Sequence, residues 1–435
     1  MNALNALDDT EALLERRERL LGKAYRLFYD RPVHIVSGEG AWLTGADGQR
    51  YLDSYNNVPH VGHCHPRVVE AISRQAATLN THTRYLHEAV LDYAELLLAR
   101  FPAAFDIAMF SCTGSEANEL ALRIARAASG GSGVIAVYDA YHGNSQATAE
   151  LSCGVGGAHA DHLAFVPCPD PYRGEHRGDD AGERFAKAVE GAIATLQERG
   201  HPPAAFIIDT ILSSNGLPNI PSDWLGHVVP RIRAAGGLFI ADEVQPGFGR
   251  MGDAFWGWER LGVQPDIVTM GKPMANGHPV SAVVTSAEVL DAFQQQSGYF
   301  NTFGGNPVSC AAARAVLEVI EEEGLQQHAL AVGAYLRRGL RALQDRYPLI
   351  GEVRGSGLFN AVDLVEDRET RAPDRDAATR VVNGLRDRRV LIGASGPHGN
   401  VLKLRSPLVF GRSEADFLLE RLDTVLAELA GSGQT

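Results

Sequence analysis

The stretch 237–280, GLFIADEVQPGFGRMGDAFWGWERLGVQPDIVTMGKPMANGHPV, holds two short apolar runs, LFIA at 238–241 and IVTM at 267–270. Each ends on polar residues followed by glycine and proline. A continuous apolar run of that length, opening into such a loop, is how a strand buried on both faces of a parallel sheet reads. The first run ends on Asp242, Glu243, Val244 and Gln245, and the second on Gly271, Lys272 and Pro273. Both loops then leave the carboxyl edge of one sheet, where open α/β sheets bind their ligands. The chain is therefore expected to be α/β, with Asp242 and Lys272 at one edge.

A chain of 435 residues exceeds the size at which a single core stops growing, so two domains are expected. A hydrophobic content of 45% is ample for both cores. The formal net charge of −13 argues against nucleic acid and anionic membrane as partners, while leaving room for a local basic pocket. Cys64, Cys112, Cys153, Cys168 and Cys310 are scattered and form no CxxC pair, which fits a reducing cytoplasmic compartment better than a disulfide framework. The charged N-terminal stretch has no basic start followed by an apolar core, and no apolar run is long enough to span a bilayer.

A lysine and a carboxylate at one sheet edge suit one chemistry in particular. A pyridoxal phosphate enzyme needs a lysine to hold the cofactor aldehyde as a Schiff base and an acid for the pyridine nitrogen. Lys272 and Asp242 fill those parts, and no GxGxxG of a dinucleotide fold follows the strands expected at 107–110 and 134–137. DEVQPGFGR (242–250) and MGKPMANGHPV (270–280) resemble the signatures of the class III aminotransferases. The resemblance extends over nearly the whole chain. It implies a fold-type I architecture with pyridoxal 5′-phosphate as cofactor: a large domain with a mostly parallel sheet, plus a small α+β domain. The division expected is 1–60 as an N-terminal helix and β-meander of the small domain, 61–320 as the cofactor-binding domain, and 321–435 as the rest of the small domain.

Along the chain, 8–28 reads as an amphipathic helix, with Leu13, Leu14, Leu20, Leu21, Tyr25 and Leu27 among its apolar positions. Segments 33–36, 41–43 and 49–52, turning at Asp47-Gly48, read as a meander. His60, His63 and His65 flank Cys64, but their spacing fits no common metal-ligand pattern and no metal is expected. Arg84, between aromatic and apolar neighbours, reads as a buried cation, for a substrate phosphate or carboxylate or for a carboxylate within the fold. A strand at 107–110 leads into SCTGSEAN (111–118) and a helix to about 128. Amide groups left unpaired at such a helix start bind anions. Here the resemblance implies that Gly114 and Ser115 contact the cofactor phosphate. It also implies that Tyr141, with His142 and Gly143 after the strand at 134–137, stacks on the ring. Val244 would lie on the opposite face and Gln245 would bond the ring hydroxyl. Thr302, in NTFGGNP, would reach the phosphate in a partner copy, making a homodimer with shared sites. Arg405, in KLRSPL, would hold a substrate carboxylate through its fork.

Segment 151–185 gives no regular pattern. Asp209, at the end of a strand at 205–208, stands where the family carries a glutamate, and that glutamate's role does not transfer to it. Strands are further expected at 282–285, 353–359, 361–364, 390–393 and 401–404, with helices at 186–199, 307–323 and 413–430.

The chemistry then branches. After Lys272 removes a proton from the amine-bearing carbon of a small amine, returning it elsewhere gives amino transfer to a keto acid or aldehyde. Expelling a group from the next carbon gives elimination. NNVPHVGHCHP, LNTHTRYLH and NTFGGNPVSCA resemble a branch holding alanine–glyoxylate aminotransferase 2 together with phospho-lyases of ethanolamine phosphate. Amino transfer is the leading expectation, and phosphate elimination is the alternative.

Overall fold

A computed structural model describes residues 3–152 and 160–432. Fifteen strands are labelled in chain order. They are β1 (Ile35–Glu39), β2 (Trp42–Gly45), β3 (Arg50–Asp53), β4 (Ile107–Ser111), β5 (Gly133–Val137), β6 (Leu163–Val166), β7 (Pro203–Asp209) and β8 (Leu238–Asp242). After them come β9 (Ile267–Met270), β10 (Ser281–Thr285), β11 (Ile350–Ser356), β12 (Phe359–Leu364), β13 (Val390–Leu391), β14 (Gly393–Ser395) and β15 (Val401–Leu404).

The central sheet has seven strands in the order β4-β10-β9-β8-β7-β5-β6. Strand β10 runs antiparallel to both its neighbours, and β9, β8, β7, β5 and β6 run parallel. Alternating side chains build two separate cores. Ala205, Ile207 and Ile240 pack on one face with the helix Gly114–Ser129. Phe206, Ile208, Phe239 and Ala241 pack on the other with the helices Ala181–Glu198 and Trp224–Ala234. With both faces covered, these strands need continuous apolar runs, which is why 238–241 and 267–270 were legible. Register then aligns the ends: Asp209 pairs with Asp242, and Asp242 with Thr269.

Two smaller sheets flank this one. The meander joins β13 in the order β1-β2-β3-β13, with Val390 opposite Leu52 and Leu391 opposite Asp53. The other sheet is β11-β12-β15-β14. The single strand expected at 390–393 is thus two, β13 and β14, which part at Ile392 and enter different sheets. Segment 151–185, in part outside the described residues, holds β6 at the sheet edge and the first turn of the helix Ala181–Glu198. The N-terminal helix is Ala3–Leu21 rather than 8–28; Gly22, at φ 72°, follows it. Its Leu13, Leu20 and Leu21 are exposed, with no other element covering them among the described residues. Among the described residues, no helix is long and apolar enough to cross a membrane.

Arg250 ties the loop after β8 to the small sheets. Its guanidinium is fully buried and donates to Leu358 O at 3.2 Å, Ser406 O at 2.7 Å and His60 Nδ1 at 3.0 Å. Arg250→Met is expected to cost on the order of 3 kcal/mol, since three buried acceptors lose their donor. A urea midpoint equal to wild type would contradict this.

Candidate active site

The loops leaving the carboxyl edge enclose a cavity of about 270 Å³, lined by Gly114, Ser115, Tyr141, His142, Asp209, Asp242, Val244, Gln245 and Lys272 among others. Asp242 is held by three donors. Its Oδ2 accepts from Asn118 Nδ2 at 2.9 Å and His142 Nδ1 at 2.8 Å, and its Oδ1 from its own loop's Val244 N at 3.1 Å. Asn118 is locked in turn, giving a second bond to His142 O at 2.7 Å and accepting from Thr269 Oγ1 at 2.6 Å. His142 must carry its proton on Nδ1 to donate, which leaves Nε2 buried and without a partner. Lys272 is largely buried, and burial lowers its amine below the usual lysine range, with Asp242 pulling the other way.

The helix Gly114–Ser129 starts with a capping box. Thr113 Oγ1 accepts from Glu116 N at 3.2 Å, and Glu116 Oε2 accepts from Thr113 N at 2.9 Å. Those bonds use the N-cap and third amides and leave the N–H groups of Gly114 and Ser115, the first two of the helix, at the cavity. The Ser115 hydroxyl is already committed, donating to Asn144 Oδ1 at 3.0 Å and accepting from Asn144 N at 3.1 Å. A Cβ at position 114 would stand 3.0 Å from the Val244 methyls, and one at 143 would stand 2.6 Å from Ser115 Oγ. The cradle is therefore shaped by backbone, as a phosphate requires. A carboxylate with an open lone pair, a lysine with lowered basicity and two free amides form a donor set that fits pyridoxal phosphate.

Gln245 Nε2 donates to Ser213 Oγ at 2.7 Å, and Gln245 Oε1 accepts from Arg405 Nη1 at 2.8 Å. Arg405 also lies 4.6 Å over the Tyr55 ring, and no carboxylate pairs with it among the described residues. Asp209 bonds the amides of Ile211 at 3.1 Å and Ser213 at 2.8 Å. Burial first, and Asp242 second, push its carboxyl upward. The neighbouring Glu243 serves the fold: it accepts from Thr210 Oγ1, Gly257 N and Trp258 N at 2.7, 2.8 and 2.9 Å.

Two expected site residues stand elsewhere. Arg84 is exposed rather than buried, with its guanidinium 3.9 Å over the Phe300 ring and outside the cavity lining. Its apolar neighbours mark a surface: Tyr85 is 66% and Leu86 99% exposed. Thr302 is exposed too, in a loop that Asn301 ties to Glu116 at 3.0 Å. The histidines at 60, 63 and 65 go three ways, to Arg250 and Phe248 O, to Asp53, and toward Glu323. Sequence reasoning missed Asn118, Ser213 and Lys403. Helical spacing from Gly114 and Ser115 was a usable signal for Asn118; Ser213, in an irregular loop, had none.

The class-III aminotransferase profile matches residues 28–426. An alanine–glyoxylate aminotransferase 2-like protein of Drosophila melanogaster is 44% identical, over 99% of this chain and 90% of its own. An ethanolamine-phosphate phospho-lyase homolog of Caenorhabditis elegans is 40% identical, over 96% of this chain and 93% of its own. Among solved structures, a phospholyase from Arthrobacter in complex with phosphoethanolamine superposes with a TM-score of 0.92 at 46% identity, covering 95% of this chain and 99% of that one. The chain thus belongs to the class III aminotransferase family, with the fold-type I architecture and pyridoxal 5′-phosphate as its cofactor.

Proposed function

We propose that this enzyme eliminates phosphate from a small phospho-amine of the ethanolamine phosphate type. The carrying observation is Arg405, a largely buried guanidinium bonded to the cavity-lining Gln245 and paired with no carboxylate among the described residues, so it is open to a substrate anion. The likeness to a phospholyase complexed with phosphoethanolamine supports phosphate as that anion. This reverses the order of the two readings expected from sequence.

Bound in the cavity, the cofactor supplies an electron sink beside the substrate amine. Asp242 holds a proton at the ring nitrogen, and the Gly114 and Ser115 amides take the phosphate. Tyr141 and Val244, which line the cavity, would pack on the ring, and Gln245 would meet its hydroxyl. Lys272 would tether the aldehyde; once the substrate amine has displaced it, the freed amine, its basicity lowered by burial, would take the proton from the amine-bearing carbon. The C–O bond on the next carbon breaks and phosphate leaves with its electron pair. Thr302 of a second copy completes the phosphate contacts, which makes a homodimer the working unit; exposed Leu86, Tyr85, Phe300 and Phe303 support such an interface. We place the reaction in the cytoplasm, on the scattered cysteines.

Ethanolamine phosphate is expected to yield inorganic phosphate, ammonia and an aldehyde in equal amounts. The second reading, amino transfer from an amino acid to a keto acid, rests on the alanine–glyoxylate aminotransferase 2-like relative. Phosphate release and alanine/pyruvate exchange should be measured side by side. Exchange without phosphate release would reject the proposal in favour of the second reading.

A further inference from the structure

The contact between Arg405 and Gln245 has a fixed polarity. A guanidinium only donates, so the end of the Gln245 amide 2.8 Å from Arg405 Nη1 is its oxygen. Asn57 Nδ2 gives that oxygen a second, longer bond of 3.4 Å. The amide nitrogen points away, and one of its two hydrogens goes to Ser213 Oγ. The other remains free in a residue that lines the cavity.

Ser213 is itself held from three sides. Its N–H donates to Asp209 Oδ2, its hydroxyl takes the Gln245 amide, and its carbonyl takes Lys403 Nζ at 2.8 Å. Lys403 lies in β15 and Arg405 just past its end, so alternation puts both on one face. Lys403 is buried, and no carboxylate pairs with it among the described residues. Burial drives its amine well below the usual range, and Asp209 pulls against that. Nearby, Gly396 N bonds Ser214 O and Arg354 Nε bonds Gly216 O, so the sheet that carries Lys403 grips the whole turn after β7.

We propose that Arg405 and Lys403 are positioning residues for Gln245, and that a substrate anion drawing on Arg405 alters the hydrogen bond Gln245 gives to the cofactor's ring oxygen. The proposal rests on Gln245 meeting that oxygen, but not on which of the two reactions follows. Amines that carry a phosphate or carboxylate send this signal, and plain amines do not. For a plain amine the loss then falls on kcat as well as on KM.

The test uses the cofactor-loaded protein with inorganic phosphate as probe. It follows the visible absorbance of the cofactor across pH, while calorimetry measures phosphate affinity. In the wild type, phosphate should move the pH midpoint of the absorbance change. Gln245→Leu should bind phosphate with near wild-type affinity and show no movement. Arg405→Met should lose more than about tenfold in affinity, the equivalent of one charge-assisted bond, and start from a displaced midpoint. Lys403→Met should displace the resting midpoint, and Lys403→Arg should restore it. If Gln245→Leu does not fold, Gln245→Met removes the N–H and keeps the length without placing a charge beside Arg405. The relay is overturned if phosphate still moves the midpoint in the Gln245 variant. It is equally overturned if Lys403→Met lowers thermal stability and leaves the midpoint in place. A wild-type chain that takes up no cofactor would instead reject the site reading, and the relay with it.

Discussion

Replacing Lys272 by alanine is expected to leave a folded protein that binds its cofactor noncovalently and turns over more than about four orders of magnitude more slowly, since tether and base vanish together. The burial that surrounds Lys272 costs the ammonium its hydration and favours the neutral amine that both tasks need. Asp242, the next largest influence, pulls the other way, so the amine is poised between the two. Removing the side chain leaves no buried partner stranded, because no hydrogen bond ends on Lys272 among the described residues. Stability should therefore stay near wild type, which separates a chemical loss from a folding loss. Borohydride reduction of the loaded wild type, followed by peptide mapping, should place the label on Lys272; the variant should carry none. Activity that survives in Lys272→Ala, or a label on another residue, would remove the base assignment.

How much of this was legible from the sequence follows from which interactions are local. The runs at 238–241 and 267–270 were readable because strands buried on both faces must be apolar throughout. The capping box from Thr113 to Glu116 is written in four consecutive positions. Partners across the fold are another matter. Val390–Leu391 and Gly393–Ser395 look like one strand until the sheets they join are known. Arg84 shows the converse error: apolar neighbours were taken as a sign of burial, whereas Tyr85 and Leu86 are largely exposed and Arg84 is covered on one side by the Phe300 ring alone among the described rings. The Arg405 contact with Gln245 spans 160 positions, and no pattern in the string announces it.

Asp242→Asn tests the other half of the pair and is expected to slow proton removal at the substrate carbon by about 10²–10³-fold, the usual loss when a preorganised charge is taken from a transition state. The geometry makes the substitution more than a loss of charge. Asn118 Nδ2, His142 Nδ1 and Val244 N all donate to this carboxylate. An asparagine offers one accepting oxygen and turns an NH₂ group toward at least one of those donors. Part of any loss would therefore come from misplacement, and a second variant separates the two causes. Asn118→Ala removes one donor and keeps the carboxylate, so it should cost only about tenfold, in line with one hydrogen bond to a charged group. The quantity to measure is exchange of the substrate's carbon-bound hydrogen with deuterated solvent, which reports proton removal whichever product forms. If Asp242→Asn exchanges at the wild-type rate, some other group keeps the ring nitrogen protonated. If Asn118→Ala loses as much as Asp242→Asn, placement of the carboxylate, rather than its charge, dominates the effect.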